Sequence, residues 1–228
     1  MKDTMPPQVY DAIQRHLLLR GNQAHRAWES ASEDEDSLTG DFGRTMATPW
    51  VDRAVNVNGE TWYWRVGYKK FRGRGPGAFE SHSGADGIFQ IEVSRADGGS
   101  VHHKGILFQA KTQKLGFGSQ LISQVTTMEE IAPKGSAVFE FGPEGYRAIR
   151  GGEYLEELGN HRRLPRDVVQ PIGGFLADEF LPCEAGVRGM YYDGMRRQLL
   201  VPSPKGPLRS YRFDVGHRIR VDVVSQPR

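Results

Sequence analysis

The chain has 228 residues, 30 Lys and Arg against 28 Asp and Glu, a net charge of +2 and 38% hydrophobic residues. That suffices for one large domain or two small ones around a packed core, and the near balance of charge excludes a globally basic nucleic-acid coat. No apolar run reaches the roughly 20 residues of a membrane span, the N-terminus lacks a signal-peptide layout, and one cysteine, Cys183, excludes an internal disulfide framework, so a cytoplasmic protein with no membrane partner is expected.

Charge is nevertheless uneven: "ESASEDED" is acidic, "YKKFRGRG" is basic, and the C-terminal segment carries Arg209, Arg212, Arg218 and Arg220. Along the chain, Val9, Ile13, Leu17 and Leu18 have helical spacing and predict a helix over residues 8–20. A second helix is predicted from about Asn22 to Phe42, with the stripe Ala24, Trp28, Ala31, Leu38 and Phe42. Glu35 interrupts that stripe, although its neighbours Glu33, Asp34 and Asp36 also fit a solvated helix face. "ETWYWRVGY" (60–68) alternates as a strand and places Trp62 and Trp64 on one face, as a core would. Residues 69–84 form a Gly-rich basic loop or hairpin, in which Lys69, Lys70, Arg72 and Arg74 are candidate phosphate contacts or merely solubilising charges. It ends without the Gly-Lys-Ser/Thr of a P-loop.

"GIFQIEV" (87–93) and "KGILFQAK" (104–111) are the next strands. In the second, period 2 places Ile106, Phe108 and Ala110 on one face and Leu107, Gln109 and Lys111 on the other. A helix over 117–132 and short strands at 136–141 and 146–149 follow. The remainder, 151–228, reads as a helix interrupted by Pro171 and its Gly pair, a hairpin turning at Asp193-Gly194, and strands at "LRSYRF" and "HRIRVDVV". The pattern is an α/β (α+β) fold, a mixed sheet with flanking helices.

Asp86 opens one strand and Gln109 and Lys111 end its neighbour. Burying a lone carboxylate costs several kcal/mol unless it is paired or binds a cation. A divalent ion would draw together Asp86, the Gln109 side-chain oxygen and Glu35, since magnesium takes hard oxygen ligands and retains waters. Lys111 would point at an ion-bound water or a phosphate. Singly, Asp86 also fits an ordinary turn aspartate, and Gln109 and Lys111 fit a one-sided strand facing water. His82, His102 and His103 lack zinc spacing and read as loop histidines; Cys183 reads as a buried structural thiol.

A helix Glu, "GAD" before one strand, "QAK" on the next, then a helix and two strands resemble the PD-(D/E)xK nuclease superfamily, above all restriction-endonuclease-like proteins of the Mrr type, whose motif reads D…QxK. The likeness spans roughly residues 22–150. It implies a restriction-endonuclease-like core within residues 1–150; the remainder, 151–228, carries no such likeness, and its strand pattern reads as a β-rich C-terminal extension packed on the core, a separate domain being the alternative. The resemblance also implies a Mg²⁺- or Mn²⁺-dependent endonuclease acting on nucleic acid, DNA favoured, in restriction or antiphage defence. By resemblance Asp86 is the metal aspartate, Gln109 stands at the second acid position, Lys111 is the motif lysine, Glu35 is the acid of the first core helix, and Gln124 is a polar residue facing nucleic acid. Gln109 brings no charge, so affinity for the ion rests on Asp86 and Glu35, with Glu80 a further acid. That departure keeps open an inactive nuclease-fold binding or assembly subunit. A zinc hydrolase built on the histidines is a third alternative, and a homodimer or a partner defence protein are both open.

Overall fold

The computed structural model describes residues 1–28, 34–50, 55–71, 83–95, 101–112, 118–160, 165–203, 206–212 and 215–227. Helix α1 (Pro7–Gln23) starts on a proline at its first turn, where the missing N–H costs nothing, and buries Val9, Ile13 and Leu17. A 3₁₀ turn (Ala24–Ala27) follows. Helix α2 (Glu35–Met46) is a new helix rather than a continuation from Asn22. Asp34 sets the break: its backbone is extended, and its carboxylate accepts a hydrogen bond from the Ser37 N–H at 2.7 Å. Glu35 therefore does not interrupt a stripe. It occupies the first turn of α2, where a carboxylate is favoured by the helix dipole.

The strands are β1 (Val55–Val57), β2 (Glu60–Lys70), β3 (Gly87–Arg95), β4 (His102–Thr112), β5 (Ser136–Gly142), β6 (Gly145–Arg150), β7 (Gln170–Pro171), β8 (Val187–Arg188), β9 (Tyr191–Asp193), β10 (Gln198–Ser203), β11 (Gly206–Arg212) and β12 (His217–Pro227). Helix α3 (Ser119–Ile131) is the crossover that lets β5 lie parallel to β4, and α4 (Gly151–Asn160) follows β6. A short helix (Ile172–Gly174) begins after Pro171 and continues with π-type bonding over Phe175–Phe180; together these are α5. The main sheet has the order β1-β2-β12-β3-β4-β5-β6-β7, with β8 also on β4, and mixes parallel with antiparallel pairs; β9, β10 and β11 form a small separate sheet. This is the expected mixed α/β class.

One feature differs from the expected layout of a core followed by an extension. The last strand, β12, lies inside the main sheet, antiparallel to β2 and parallel to β3. Strands β2 and β3 do not touch through a ladder of their own; the C-terminal residues supply the missing member. Its pattern suits that place. Ile219, Val221 and Val223 are fully buried on one face, while Arg220 and Asp222 pair on the other at 2.6 Å, with Arg65 completing the group at 2.8 Å. The hairpin of β9 and β10 is also present, but Asp193 pairs with Gln198, so four residues make the loop. The Asp193 carboxylate accepts hydrogen bonds from the Met195 and Arg196 N–H groups and caps that longer turn itself.

Two apolar cores lie on opposite faces of the main sheet. On one, α1, α2 and α5 pack over Trp62, Trp64, Phe89, Ile106, Phe108 and Phe139. On the other, α3, α4 and the small sheet cover Ile88, Leu107, Val138 and Ile149. Among the described residues no helix is long and apolar enough to cross a membrane.

Glycine fixes the seat of α2. A Cβ on Gly43 would lie 2.2 Å from a carbon of the Tyr68 ring, whereas one on Gly40 would meet nothing closer than 3.4 Å. Gly43→Ala should lower the urea midpoint, because an overpacking cost of about 1–3 kcal/mol outweighs the gain of about 1 kcal/mol in helix propensity. Gly40→Ala, a turn away, should leave the midpoint unchanged or raise it.

Candidate active site

The strand ends β2, β12, β3 and β4 open at one edge of the sheet. Directly opposed residues share a face, so the row Lys69, Arg218, Ile88 and Leu107 lies on the α3 side, and the row Lys70, His217, Gly87 and Phe108 on the α2 side. Gln109 and Lys111 continue the α3-side row past the start of β3.

Asp86 immediately precedes β3, and its N–H donates to the Phe108 carbonyl at 2.9 Å. That bond brings its carboxylate to Gln109. The amide Nε2 of Gln109 and the backbone N–H of Ala110 both donate to Asp86 Oδ2, each at 2.7 Å. Gln109 is fully buried, its Nε2 also meets the Ala110 carbonyl at 3.3 Å, and its Oε1 has no hydrogen-bond partner. An unsatisfied buried oxygen costs about 1–3 kcal/mol. The amide orientation is set by its two acceptors, which leaves a carbonyl oxygen beside a carboxylate. Such a donor pair fits a hard divalent cation that keeps most of its waters.

Glu35 approaches from α2. Its Oε2 accepts from the Lys111 ammonium at 3.1 Å, and its Oε1 accepts from the Thr112 N–H at 3.2 Å. The sequence thus places Asp86 with Gln109 and Glu35 with Lys111 at one mouth, in two hydrogen-bonded pairs. The Asp86 carboxylate is half-buried, and it has protein donors even without an ion. Among the described residues no group of three His, Cys, Asp or Glu side chains is arranged for a metal ion.

Gln124 lies on α3, and its Oε1 is also buried without a hydrogen-bond partner. Its backbone adjoins the loop that leads to Asp86. Gly84 has φ +69°, and a Cβ there would fall 2.4 Å from the Gln124 carbonyl oxygen, so only glycine allows this approach. Lys69 and Lys70, neighbours in sequence, part company. The Lys70 ammonium pairs with Asp36 on the α2 side. Lys69 stands 4.9 Å over the Phe71 ring on the α3 side, with the Arg218 guanidinium 5.5 Å from the same ring. Arg72, Arg74, Glu80 and His82 lie outside the described residues. His102 and His103 are not loop residues but the first two of β4, at the end away from Gln109. Cys183 is half-buried against the core rather than fully buried, and its sulfur accepts from Arg188 Nε at 3.4 Å.

Sequence reasoning missed His217, Asp36 and Tyr68. The His217 ring is almost wholly buried, with Nε2 2.9 Å from Asp36 Oδ1 and Nδ1 2.9 Å from the Tyr68 hydroxyl. Burial holds the His217 imidazole below its ordinary value, and Asp36 offsets this only in part. Burial alone would raise the Asp36 carboxyl, but hydrogen bonds from Lys70 and His217 outweigh it and hold the group low. Burial pushes the Tyr68 hydroxyl up to about 12, so it remains a donor. The one signal in the sequence was a histidine opening a strand, which spacing cannot pair with an aspartate far upstream.

Comparison with known proteins gives no matching family model, no matching curated protein and no matching solved structure.

Two outcomes follow from this geometry. Gln109→Glu should lower the melting temperature in EDTA, because it sets two carboxylates at hydrogen-bond distance and removes a donor. Mn²⁺ should then raise it by more than it raises the wild type. A variant indifferent to Mn²⁺ would show that no ion sits between these groups. The second outcome concerns pH. His217, His16 and His103 are all held below the ordinary histidine value, burial being the main cause in each. Each takes up a proton more readily in the unfolded chain. Their stabilisation is complete above about pH 6.5 and is lost as pH falls through that value toward the lower folded values. Urea midpoints should drop between about pH 7.5 and about pH 5.5, above the carboxylate range. His16→Gln, which keeps a donor for the Met46 carbonyl that His16 Nε2 meets at 2.8 Å, should flatten part of that slope.

Proposed function

We propose that this chain is a metal-dependent nuclease that hydrolyses phosphodiester bonds in nucleic acid, DNA favoured over RNA, with Mg²⁺ or Mn²⁺ as its ion. The observation that carries the reading is the buried, unpartnered Gln109 Oε1 next to the Asp86 carboxylate. Asp86, Gln109 Oε1 and Glu35 would hold the ion, which would supply a water of lowered pKa and neutralise charge on the attacked phosphate. Gln109 Nε2 and the Ala110 N–H orient Asp86 from behind. Glu35 holds the Lys111 ammonium in readiness. A phosphodiester at the mouth competes for that ammonium with its own anionic oxygens, and Lys111 then stabilises the negative charge that develops there. Lys69 and Arg218, on the same face as Gln109, would hold backbone phosphates in a salt-sensitive way. The resemblance of the motif adds a setting in restriction or antiphage defence in the cytoplasm.

A second reading, a nucleic-acid-binding or assembly subunit that keeps the scaffold without the chemistry, is favoured by one observation: Asp86 and Glu35 already have protein partners. Nicking of supercoiled plasmid in Mg²⁺ and Mn²⁺, abolished by EDTA, is expected of the nuclease. Absence of cleavage with retained nucleic-acid binding would establish the subunit instead.

Lys111→Ala should lower turnover at saturating substrate on the order of a hundredfold or more, the scale of losing one electrostatic stabiliser. Binding measured in Ca²⁺ should weaken only by about one phosphate contact's share. Lys69→Ala should do the reverse, with weaker binding and a shallower salt dependence. Full cleavage by Lys111→Ala would remove this lysine from the mechanism.

A further inference from the structure

His217 is tied to both acidic elements of the mouth. Its own N–H donates to the Asp86 carbonyl at 3.0 Å, and it stands between Lys70 and Gly87 at the first rung of β12. Its ring reaches α2 through Asp36, the residue after Glu35. An ionised carboxylate only accepts, so Nε2 carries the proton, and Nδ1 is left to accept from the Tyr68 hydroxyl. One neutral tautomer satisfies the whole chain from Tyr68 through His217 to Asp36. The groups that face the ring are Asp36 and Arg44 from α2 and Tyr68 and Lys70 from β2.

The other restraints on the first turn of α2 are weaker. The Lys70–Asp36 pair is half exposed, and pairs of that kind contribute about 0–1 kcal/mol. The Glu35 contacts with Lys111 and Thr112 are the ones that the proposed chemistry must be free to rearrange. The bond from His217 is the one with a fully buried donor.

We propose that His217 is a positioning residue: through Asp36 on α2 and the backbone of Asp86 before β3, it sets where the Glu35 carboxylate stands relative to Asp86 and Gln109. The consequence for catalysis rests on the nuclease reading above, but the tether can be read without it. The reporter is the Thr112 amide, whose proton goes to Glu35 Oε1.

The test is amide hydrogen exchange by NMR on the whole chain, with Mn²⁺ affinity measured by calorimetry, for wild type, Asp36→Ala, His217→Leu and His217→Gln. Asp36→Ala cuts the tether at its exposed end, so the sheet is untouched should His217→Leu fold poorly. Exchange at Thr112 should quicken about tenfold or more in Asp36→Ala and His217→Leu, the scale of losing one hydrogen bond to a charged group. Amides of Phe139 and Val66 should keep their rates. His217→Gln, which retains a donor and an acceptor, should restore much of the Thr112 protection. Mn²⁺ affinity should fall with Thr112 protection and recover with it. Unchanged Thr112 exchange in Asp36→Ala, or equal quickening across the whole sheet, would overturn the proposal. A wild type that binds no Mn²⁺ would overturn the nuclease reading instead, and Thr112 exchange would still decide the tether.

Discussion

The ladder that β12 makes with β2 and β3 is the constraint on which the mouth depends. Strand β12 spans His217–Pro227 and pairs along its whole length with β2 and over Gly87–Arg95 with β3. Without it β2 would leave the sheet, taking Tyr68, Lys69 and Lys70 away from Asp86 and Gln109. The candidate site is therefore assembled from five separated segments: the first turn of α2, the end of β2, Asp86, the end of β4 and the start of β12. Its geometry is a property of the finished sheet, and no contiguous stretch contains it. Non-local pairings of this kind gain their contacts only after the loop-closure entropy has been overcome.

The same geometry explains what could be read beforehand. Asp86, Gln109 and Lys111 were legible because strand periodicity is local: two residues apart on β4 means one face, whatever the strand's neighbours. Glu35 was legible for a faulty reason. Its spacing reads as a break in a long helical stripe, whereas Asp34 caps a separate helix and Glu35 sits in its opening turn. Its nearness to Lys111 comes from how α2 is seated on Gly43 and Tyr68, which no spacing encodes. The place of β12 was not legible at all. Its alternation announces a strand with one apolar face, but the choice between an edge and the gap beside β3 is made by register against distant residues. His217 was lost with it, since its partners are Asp36 and Tyr68, the former 181 positions away.

Alternation also sorts the charges of the mouth in a way that composition conceals. The pair Lys69 and Lys70 reads as one basic patch, yet adjacent strand residues point to opposite faces. Lys70 is drawn into the Asp36–His217 group and serves the seat of α2. Lys69 joins Arg218 around Phe71, on the face that carries Gln109 and Lys111. Further along that face Arg65 and Arg220 pair with Asp222 and Glu92. Lys69 and Arg218 thus stand together on the Gln109 face of the mouth.

The amide at position 109 can be understood against this background. A carboxylate there would face Asp86 at 2.7 Å, and two like charges so close in a buried place would force one to hold a proton. Glutamine removes the conflict. Its Nε2 donates to Asp86, the Ala110 N–H supports the same oxygen, and the mouth is closed without any ion. What remains is one amide oxygen with nothing to accept. For the proposed ion, such a site would trade electrostatic attraction for a metal against order in the metal-free state. Asp86 is already oriented, so little rearrangement would be needed on that side. Glu35 is the member that would have to move to reach the proposed ion, because its present partners are Lys111 and Thr112. The freedom of α2's first turn then governs whether the two halves of the site act together, and that freedom is limited by a buried imidazole on the opposite face of the sheet from Gln109.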